Sequence, residues 1–280
     1  MINSFKLVKS TKKPTIRLKN TRSTMRIAKR IARSGLCSRR EAEAWVENGR
    51  VSVNGKTLDS PALTVLPKDS IEIDGRELPP AERTRLWLFN KPSGTITTNK
   101  DPEGRETIFE YLPNFLPRVL TVGRLDLNTE GLLLLTNDGG LSRILELPST
   151  AWLRRYRVRA HGFVTQEKLN RLKDGVVIDG ISYRSIEAIL ERKKGSNLWL
   201  TVSIREGKNQ EIKKVFKSLN LRVTRLIRTS YGPFQLGNLE IKKVKEVRQH
   251  ILRNQLGEKL FKTSGDVLML SNENHAKVNE

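Results

Sequence analysis

Four consecutive leucines, Leu132–Leu135, constrain the fold of this chain more than any other feature. A short apolar run bounded by turn residues is typical of a buried strand, and we predict one here. The polar loop that leads into it lies between Gly123 and Gly131 and carries Arg124 and Asp126. Charged groups at the mouth of a buried strand are held rigidly, as catalytic groups must be. On spacing alone, a simple turn and an active site remain equally open.

A calcium loop is a third interpretation of the same residues. Counted from Asp126, Gly131 stands at the sixth position, where an EF-hand loop has its glycine. That loop also needs a bidentate glutamate at the twelfth position, which here is Asn137, so calcium is disfavoured. The single cysteine, Cys37, excludes a disulfide framework and a cysteine-rich zinc site. With scattered histidines and no phosphate-binding or dinucleotide fingerprint, we predict neither a metal nor a cofactor.

The charge balance predicts a polyanionic partner. Lysine and arginine number 52 against 30 acidic residues, which gives a formal net charge of +22. Nucleic acid is the commonest partner for such an excess, and the basic residues are interspersed with folded pattern rather than gathered in a tail. No apolar run approaches the length of a membrane span, so no membrane partner is expected. The cysteine content fits a reducing cytoplasm, which is the predicted location.

The first 25 residues are predicted to be a basic disordered arm. Residues 1–24 contain several lysines and arginines and no acidic residue, a pattern that favours phosphate contacts without sequence readout. Two alternatives stay open. The segment also has the composition of an organelle targeting peptide, and Met25, where the patterned sequence begins, could be the true start.

Residues 26–76 are predicted to form a compact unit of two helices beside a small sheet. Ser38 and Glu41 make a capping box before the second helix, and Asn54-Gly55 marks a hairpin. The stretch SRREAEAWVENGRVSVNG resembles the core of the S-four (S4) RNA-binding domain, named for a small-subunit ribosomal protein. Its basic positions are the predicted RNA contacts of this unit: Arg26, Lys29, Arg30, Arg39, Arg40 and Arg50.

A linker and a larger domain follow. Residues 77–85 combine prolines with charge and are predicted to be the linker. Residues 86–254 alternate short strand patterns with helical ones, which predicts a mixed α+β domain with a mainly antiparallel sheet. From residue 255 the pattern fades, and residues 255–280 are predicted to be a disordered tail.

The larger domain resembles the pseudouridine synthases, in the branch that carries an N-terminal S4 domain and modifies ribosomal RNA. The matching motifs are VGRLDLNTEGLLLLTNDG, KPSG, RRYRVRA, IREGKNQEIKKVF and RVTRLIRTSYGPFQLGNL. With the first unit, the resemblance covers most of residues 26–250. The stretches TTNKDPEGRETIFEYLP and ELPSTAWLRRYRVRAHG are most similar to the bacterial enzymes of the large subunit, so 23S ribosomal RNA is the implied partner. A monomer is expected.

The resemblance implies an isomerisation at a single aspartate. The family detaches uracil from ribose at nitrogen, turns the ring and rejoins it through carbon, without a metal, redox partner or hydrolytic water. Asp126 is then the catalytic carboxylate, either as a nucleophile at the anomeric carbon or as a base at the adjacent carbon. Lys213 stands where the family has a basic partner for it, next to Glu211 in place of the usual glutamine. Arg124 could pair with Asp126 or hold a phosphate.

The remaining predicted site residues bind the RNA. A stacked uridine must be flipped out to be reached, and Tyr156 would stack on it while Leu226 forms the pocket floor. Backbone phosphates position RNA without reading it, and the residues predicted to hold them are Lys91, Arg154, Arg155, Lys208, Asn209, Lys214 and Arg228. Two other functions remain open: a non-catalytic ribosome-assembly factor that kept this fold, and an RNA-dependent hydrolase.

Overall fold

The structure is a computed structural model that describes residues 24–99 and 101–263 of the 280-residue chain. The predicted basic arm therefore lies outside the described residues, except for its last two positions. The helices are α1 Ile27–Arg33, α2 Arg39–Glu47, α3 Gly139–Glu146, α4 Gln166–Asn170, α5 Glu211–Ser218 and α6 Gln249–Thr263. The strands are β1 Met25–Arg26, β2 Val51–Val53, β3 Lys56–Thr57, β4 Thr64–Val65, β5 Ile71–Ile73, β6 Arg76–Glu77, β7 Leu86–Lys91, β8 Leu120–Val122, β9 Thr129–Thr136, β10 Arg154–His161, β11 Val176–Ile178, β12 Ile181–Tyr183, β13 Ile186–Lys194, β14 Asn197–Ile204, β15 Arg222–Tyr231, β16 Phe234–Gln235 and β17 Val244–Glu246. Short 3₁₀ helices span Ile108–Tyr111, Pro148–Thr150 and Arg171–Asp174.

The N-terminal unit consists of α1 and α2 packed beside a small sheet in the order β3-β2-β5-β6. The predicted capping box forms, with Ser38 Oγ accepting from the Glu41 N–H and the Glu41 carboxylate accepting from the Ser38 N–H. Asn54 and Gly55 both have positive φ, as a type I′ hairpin turn between β2 and β3 requires. This unit has its own hydrophobic cluster, which includes Ile27, Ile31 and Val46.

The larger domain is built on a nine-stranded sheet within the described residues. Its main path runs β13-β14-β10-β15-β9-β7-β17, while β8 pairs with β9 and β16 with β15. Every pairing in it is antiparallel except that of β9 with β15. The prediction of a mixed α+β domain with a mainly antiparallel sheet is thus confirmed.

The leucine run is the centre of this sheet. Leu132 and Leu134 contribute to one hydrophobic cluster with α3 and α6, whereas Leu133 and Leu135 contribute to another on the opposite face with Ile108. All four leucines have no exposed surface, which stabilises the domain by about 2 kcal/mol per side chain relative to exposure. Strand β9 is therefore fixed from both sides, and so is the loop that precedes it.

The C-terminal prediction needs a correction. Residues 255–263 belong to α6, although the predicted disordered tail began at residue 255. Leu252 and Leu256, one helical turn apart, are buried in the cluster around Leu132 and Leu134, and this burial stabilises the helix. Residues 264–280 lie outside the described residues.

An ion pair joins the two domains. Arg33 on α1 donates from Nη2 to Asp138 Oδ2 at 3.2 Å, and both side chains are largely buried. Asp138 also caps α3 by accepting from the Gly140 and Leu141 N–H groups, and it accepts from the Thr84 hydroxyl. None of the helices in the described part of the chain is long and apolar enough to span a membrane.

Candidate active site

The loop with Asp126 leaves β8 and enters β9 where β9 runs parallel to β15. Gly131 has φ of +95° and faces Arg228 across the parallel pairing. A Cβ atom at this position would lie 2.4 Å from the Arg228 carbonyl oxygen, which is too close for any residue but glycine. Inside the loop, the Thr129 N–H donates to the Asp126 carbonyl oxygen at 3.0 Å. The close strand approach and this turn set the direction in which the loop leaves the sheet.

Lys91 is buried beneath the Asp126 loop, to which it donates hydrogen bonds, and it is not an RNA contact. Its side chain has no exposed surface, and Nζ donates to the carbonyl oxygens of Pro92 at 3.0 Å, Leu127 at 3.1 Å and Thr129 at 3.0 Å. The prediction that Lys91 binds RNA is therefore wrong, because all three donors are committed inside the protein. Burial lowers the pKa of Lys91 to about 8, although the negative charges of Asp126 and Glu130 act in the other direction.

Asp126 faces a lysine from another part of the chain. Lys213 on α5 places Nζ 3.5 Å from Asp126 Oδ2, and both side chains are about one-third exposed. Helix α5 is anchored by Ile212, Val215 and Phe216, which are buried against the sheet. The position of the cation is thus set by the core rather than by the loop.

Next to this pair lies a cavity of about 1040 Å³. Tyr156 on β10 and Leu226 on β15 line it and are 7% and 6% exposed, so the cavity has an apolar wall. Of the residues predicted for the site, those that line it are Arg124, Asp126, Arg154, Tyr156, Lys208, Asn209, Leu226 and Arg228. The lining combines aromatic rings, several cations and carboxylates that include Asp126, and so it has the chemistry to bind a planar anionic nucleotide.

The arginines of β10 lie on two faces. Arg154 lines the cavity and donates to the Tyr231 hydroxyl at 3.0 Å. Arg155 is exposed, and it points to the opposite side of β10 from Tyr156 because side chains alternate along a strand. The structure therefore does not bring Arg155 to the cavity with Arg154.

Arg228 was predicted to hold a backbone phosphate, but its side chain is built into the domain. It is 3% exposed, its Nε donates to the Leu132 carbonyl oxygen at 2.7 Å, and its guanidinium lies 5.0 Å from the centre of the Tyr231 ring. Its Nη2 is buried and has no hydrogen-bond partner among the described residues. Arg228 thus offers an RNA one unpaired donor at the cavity rather than an exposed guanidinium, and its contact with a phosphate stays a prediction.

Helix α5 begins at an acid, Glu211, whose burial the sequence did not predict. Glu211 is 3% exposed and its Oε2 accepts from the Lys208 N–H at 3.0 Å, whereas Oε1 is buried without a partner. Burial raises the pKa of Glu211 to about 7. The Lys208 ammonium is itself tied to the Ser182 carbonyl oxygen and to Glu206. Lys214, on α5, is half-buried.

The predicted contacts of the N-terminal unit differ in exposure. Arg30 is half-buried and its Nη1 has no hydrogen-bond partner, and burial together with Arg33 lowers its pKa. Arg50 is exposed but forms a bidentate pair with Asp74 and stacks over Trp45 at 4.9 Å. Lys29 is half-buried, while the exposed members of the set are Arg26, Arg39, Arg40 and Arg50.

Two family models match the chain. The S4 domain model matches residues 25–71, and the RNA pseudouridylate synthase model matches residues 85–218. A Rickettsia typhi protein named as an RNA pseudouridine synthase is 44% identical over 238 residues, which cover 84% of this chain and 96% of that protein. The chain belongs to the RNA pseudouridine synthase family.

Other comparisons agree with this membership. The ribosomal large subunit pseudouridine synthase B of Pseudomonas aeruginosa is 39% identical over 244 residues, which cover 84% of this chain and 63% of that protein. A crystal structure of a pseudouridylate synthase superposes with a TM-score of 0.58 at 25% identity and covers 83% of this chain and all of that one. This pseudouridine synthase is therefore an RNA-modifying enzyme with an N-terminal S4 domain. The open alternative of a non-catalytic factor is disfavoured by family membership.

Proposed function

We propose that this enzyme isomerises a uridine of large-subunit ribosomal RNA and that Asp126 is the catalytic carboxylate. The observation that carries the proposal is the Asp126–Lys213 pair at 3.5 Å beside a cavity walled by Tyr156 and Leu226. The large-subunit substrate is supported by the relatives named as synthase B, such as the one from Pseudomonas aeruginosa.

The geometry supports a reaction at one carboxylate. Glycoside hydrolysis usually needs two carboxyl groups, one that protonates the leaving group and one that acts on the sugar side. An isomerase that keeps its leaving group needs only the second. Lys213 Nζ lies 3.5 Å from Asp126 Oδ2, and Asp126 either acts as a nucleophile at the anomeric carbon or removes a proton from the adjacent carbon. Both routes keep the detached uracil in the cavity until it rejoins the ribose through carbon.

The cavity wall supports base flipping. A uridine in a stem or loop must leave its stack to reach Asp126, which costs a few kcal/mol. Stacking of the base on Tyr156 offsets this cost by roughly 1–3 kcal/mol. The unpaired Nη2 of Arg228 can donate a hydrogen bond to a carbonyl oxygen of uracil, and this bond would give a buried polar atom its partner. Arg124 and Arg154, at the cavity, supply positive charge for the flanking phosphates.

The test is pseudouridine mapping in ribosomal RNA from cells that lack this gene and carry it back on a plasmid. The wild-type gene should restore one or more pseudouridines in 23S ribosomal RNA. Asp126→Asn should restore none, because the amide is neither a nucleophile nor a base. Asp179→Asn, the same change at an exposed turn, is the matched control and should restore them all.

Three outcomes would contradict the proposal. Restoration by Asp126→Asn would show that the carboxylate is not catalytic. Restoration in 16S ribosomal RNA alone would contradict the large-subunit substrate. Release of free uracil from substrate RNA by the purified enzyme would favour hydrolysis over isomerisation.

A further inference from the structure

The side of the central sheet that faces away from α4 and α5 carries an unusual set of charges. Tyr156, Val158 and Ala160 of β10 point towards these helices and are buried in one cluster. Arg155, Arg157 and Arg159 alternate with them, and all three are exposed. The outward side of β10 is thus open to solvent.

The strand registers extend this charge across four strands. Arg159 pairs with Trp199 of β14 on one side and with Arg225 of β15 on the other, and Trp199 pairs in turn with Arg192 of β13. The next row consists of Lys194, Asn197, His161 and Arg222 in the same strand order. We call the basic residues of these two rows the basic sheet face: Arg159, His161, Arg192, Lys194, Arg222 and Arg225.

Most of these charges are not compensated within the protein. Arg225 forms a bidentate pair with Glu130 at 2.9 and 2.8 Å, while Arg159 donates to the neutral Asn197 amide at 3.3 Å. Arg192, Lys194 and Arg222 form no ion pair with any carboxylate among residues 24–99 and 101–257. Like charges directly across a strand pair destabilise a sheet, and Arg159 lies directly across from Arg225. Because Glu130 already pairs with Arg225, the uncompensated charge lies on Arg159, Arg192, Lys194 and Arg222, and a polyanion would neutralise it.

An aromatic ring lies among the cations. Trp199 is half-buried, and the Arg157 guanidinium sits 4.5 Å from the centre of its ring. Cations beside a ring on an open sheet surface are the combination that binds nucleic-acid strands, because the cations hold phosphates and the ring stacks on a base. An acidic protein segment would fit the cations but would not use the ring.

We propose that the basic sheet face binds a second segment of the same RNA whose uridine enters the cavity. Strands β10 and β15 carry both surfaces, with Tyr156 and Leu226 on the cavity side and Arg159 and Arg222 on the other side. Because the two surfaces lie on opposite sides of these central strands, an RNA that contacts both passes around the domain from one side of the sheet to the other. The proposal rests on RNA being the substrate, but not on which residue performs the chemistry.

The test compares two sets of three charge removals in the full chain with Asp126→Asn, so that no turnover occurs. The first set is Arg159→Gln, Arg192→Gln and Arg222→Gln on the basic sheet face. The control set is Lys168→Gln, Arg171→Gln and Lys173→Gln, which are exposed residues on and after α4 on the other side of the sheet. Each protein is titrated across a KCl series with a 23S ribosomal RNA transcript and with a short stem-loop cut from it around the modified uridine.

The first set should weaken binding of the long transcript roughly tenfold and lower the slope of log K against log salt by about 2, since about 0.7 is lost per phosphate contact to a single strand. The control set should change the affinity for the long transcript by less than about twofold and leave the salt slope unchanged. The stem-loop should bind all of these proteins with the same affinity. The first set should also unfold at an equal or higher temperature than the parent, because it removes like-charge repulsion.

Two results overturn the proposal. In one, the long transcript binds the first set as tightly as the control set, which would leave an acidic protein as the partner of this face. In the other, the stem-loop loses as much affinity as the transcript, which would mean that the substitutions act through the cavity. Failure of the proposed function is separate, since it would appear as missing pseudouridine while these binding curves were unchanged.

Discussion

The two sides of β10 use positive charge in opposite ways. On the cavity side, Lys91 and Arg228 are almost wholly buried, and Lys91 Nζ and Arg228 Nε donate to carbonyl oxygens of the loop and strand that carry the site. On the outer side, Arg155 and Arg159 are exposed. The net charge of +22 thus includes buried cations that position the candidate active site and exposed cations that can bind a polyanion.

This difference shows that a basic residue in a basic protein is not by itself an RNA contact. Most donors of a buried ammonium or guanidinium form hydrogen bonds inside the protein, so such a residue mainly stabilises the fold. An exposed one keeps its donors for a partner and contributes to the salt dependence of binding. Substitutions of buried and of exposed basic residues should therefore have different effects.

The largest effect is expected at the cation that faces Asp126. Lys213→Met should lower kcat about 10²- to 10³-fold, because it removes the cation 3.5 Å from the proposed catalytic carboxylate. Lys214→Met, the adjacent residue on α5, should act mainly on KM. Steady-state kinetics on the stem-loop measures both. Equal losses of kcat in the two variants would contradict a specific role for Lys213.

The next largest effect is expected on stability, from the buried Lys91. Lys91→Met keeps the length of the side chain but leaves three loop carbonyl oxygens without their donor, and it should lower the free energy of unfolding by about 2–4 kcal/mol. Arg155→Met removes an exposed charge on the outer side and should change it by less than about 0.5 kcal/mol. Urea unfolding of both variants gives the comparison. If Arg155→Met were the more destabilising, the distinction between the two sides would fail.

A pH-dependent effect is expected from Glu211. Its pKa is raised from 4.5 to about 7, so the folded protein keeps a proton that the unfolded chain has already lost between these values. Stability therefore falls as pH rises through this window, and the loss is complete above pH 7. Glu211→Gln should remove the loss, so its stability relative to the wild type should be greater at pH 8 than at pH 5 by about 2–3 kcal/mol. Glu187→Gln, at an exposed position of β13, should show no such difference between the two pH values.

The smallest effect compares neighbours on one strand. Arg154→Gln should raise KM for the stem-loop roughly three- to tenfold, because this side chain lines the cavity. Arg155→Gln should change it by less than about twofold, because a short RNA does not reach the outer side. The reverse order would contradict the assignment of the two faces.

Much of this arrangement could be predicted from the sequence. The capping box, the Asn54-Gly55 hairpin and the leucine run are local patterns, and each formed as predicted. The position of Arg155 opposite Tyr156 also follows from strand alternation, which the sequence pattern of this strand already indicates. Likewise, the helical spacing of Leu252 and Leu256 was a signal for α6.

Other features depend on contacts between distant parts of the chain. Gly131 meets Arg228 only because β9 and β15 pair in parallel, and nothing local in either segment indicates that pairing. The burial of Arg228 follows from it, whereas Lys91 is buried on the other side of β9, where β7 pairs with it. The approach of Lys213 to Asp126 was implied by the family resemblance rather than by spacing. The environment of Lys91, which the sequence misassigned, is made by such long-range pairing.

Our proposal requires the Asp126 carboxylate for the isomerisation. When uracil rejoins the ribose through carbon, the hydrogen on that ring carbon is released, so RNA tritiated at this position reports the reaction directly. In a single turnover with saturating enzyme, Asp126→Asn should release tritium at least about 10⁴-fold more slowly than the wild type, while it binds the RNA with a Kd within about threefold. Release within about tenfold of the wild-type rate would contradict the account.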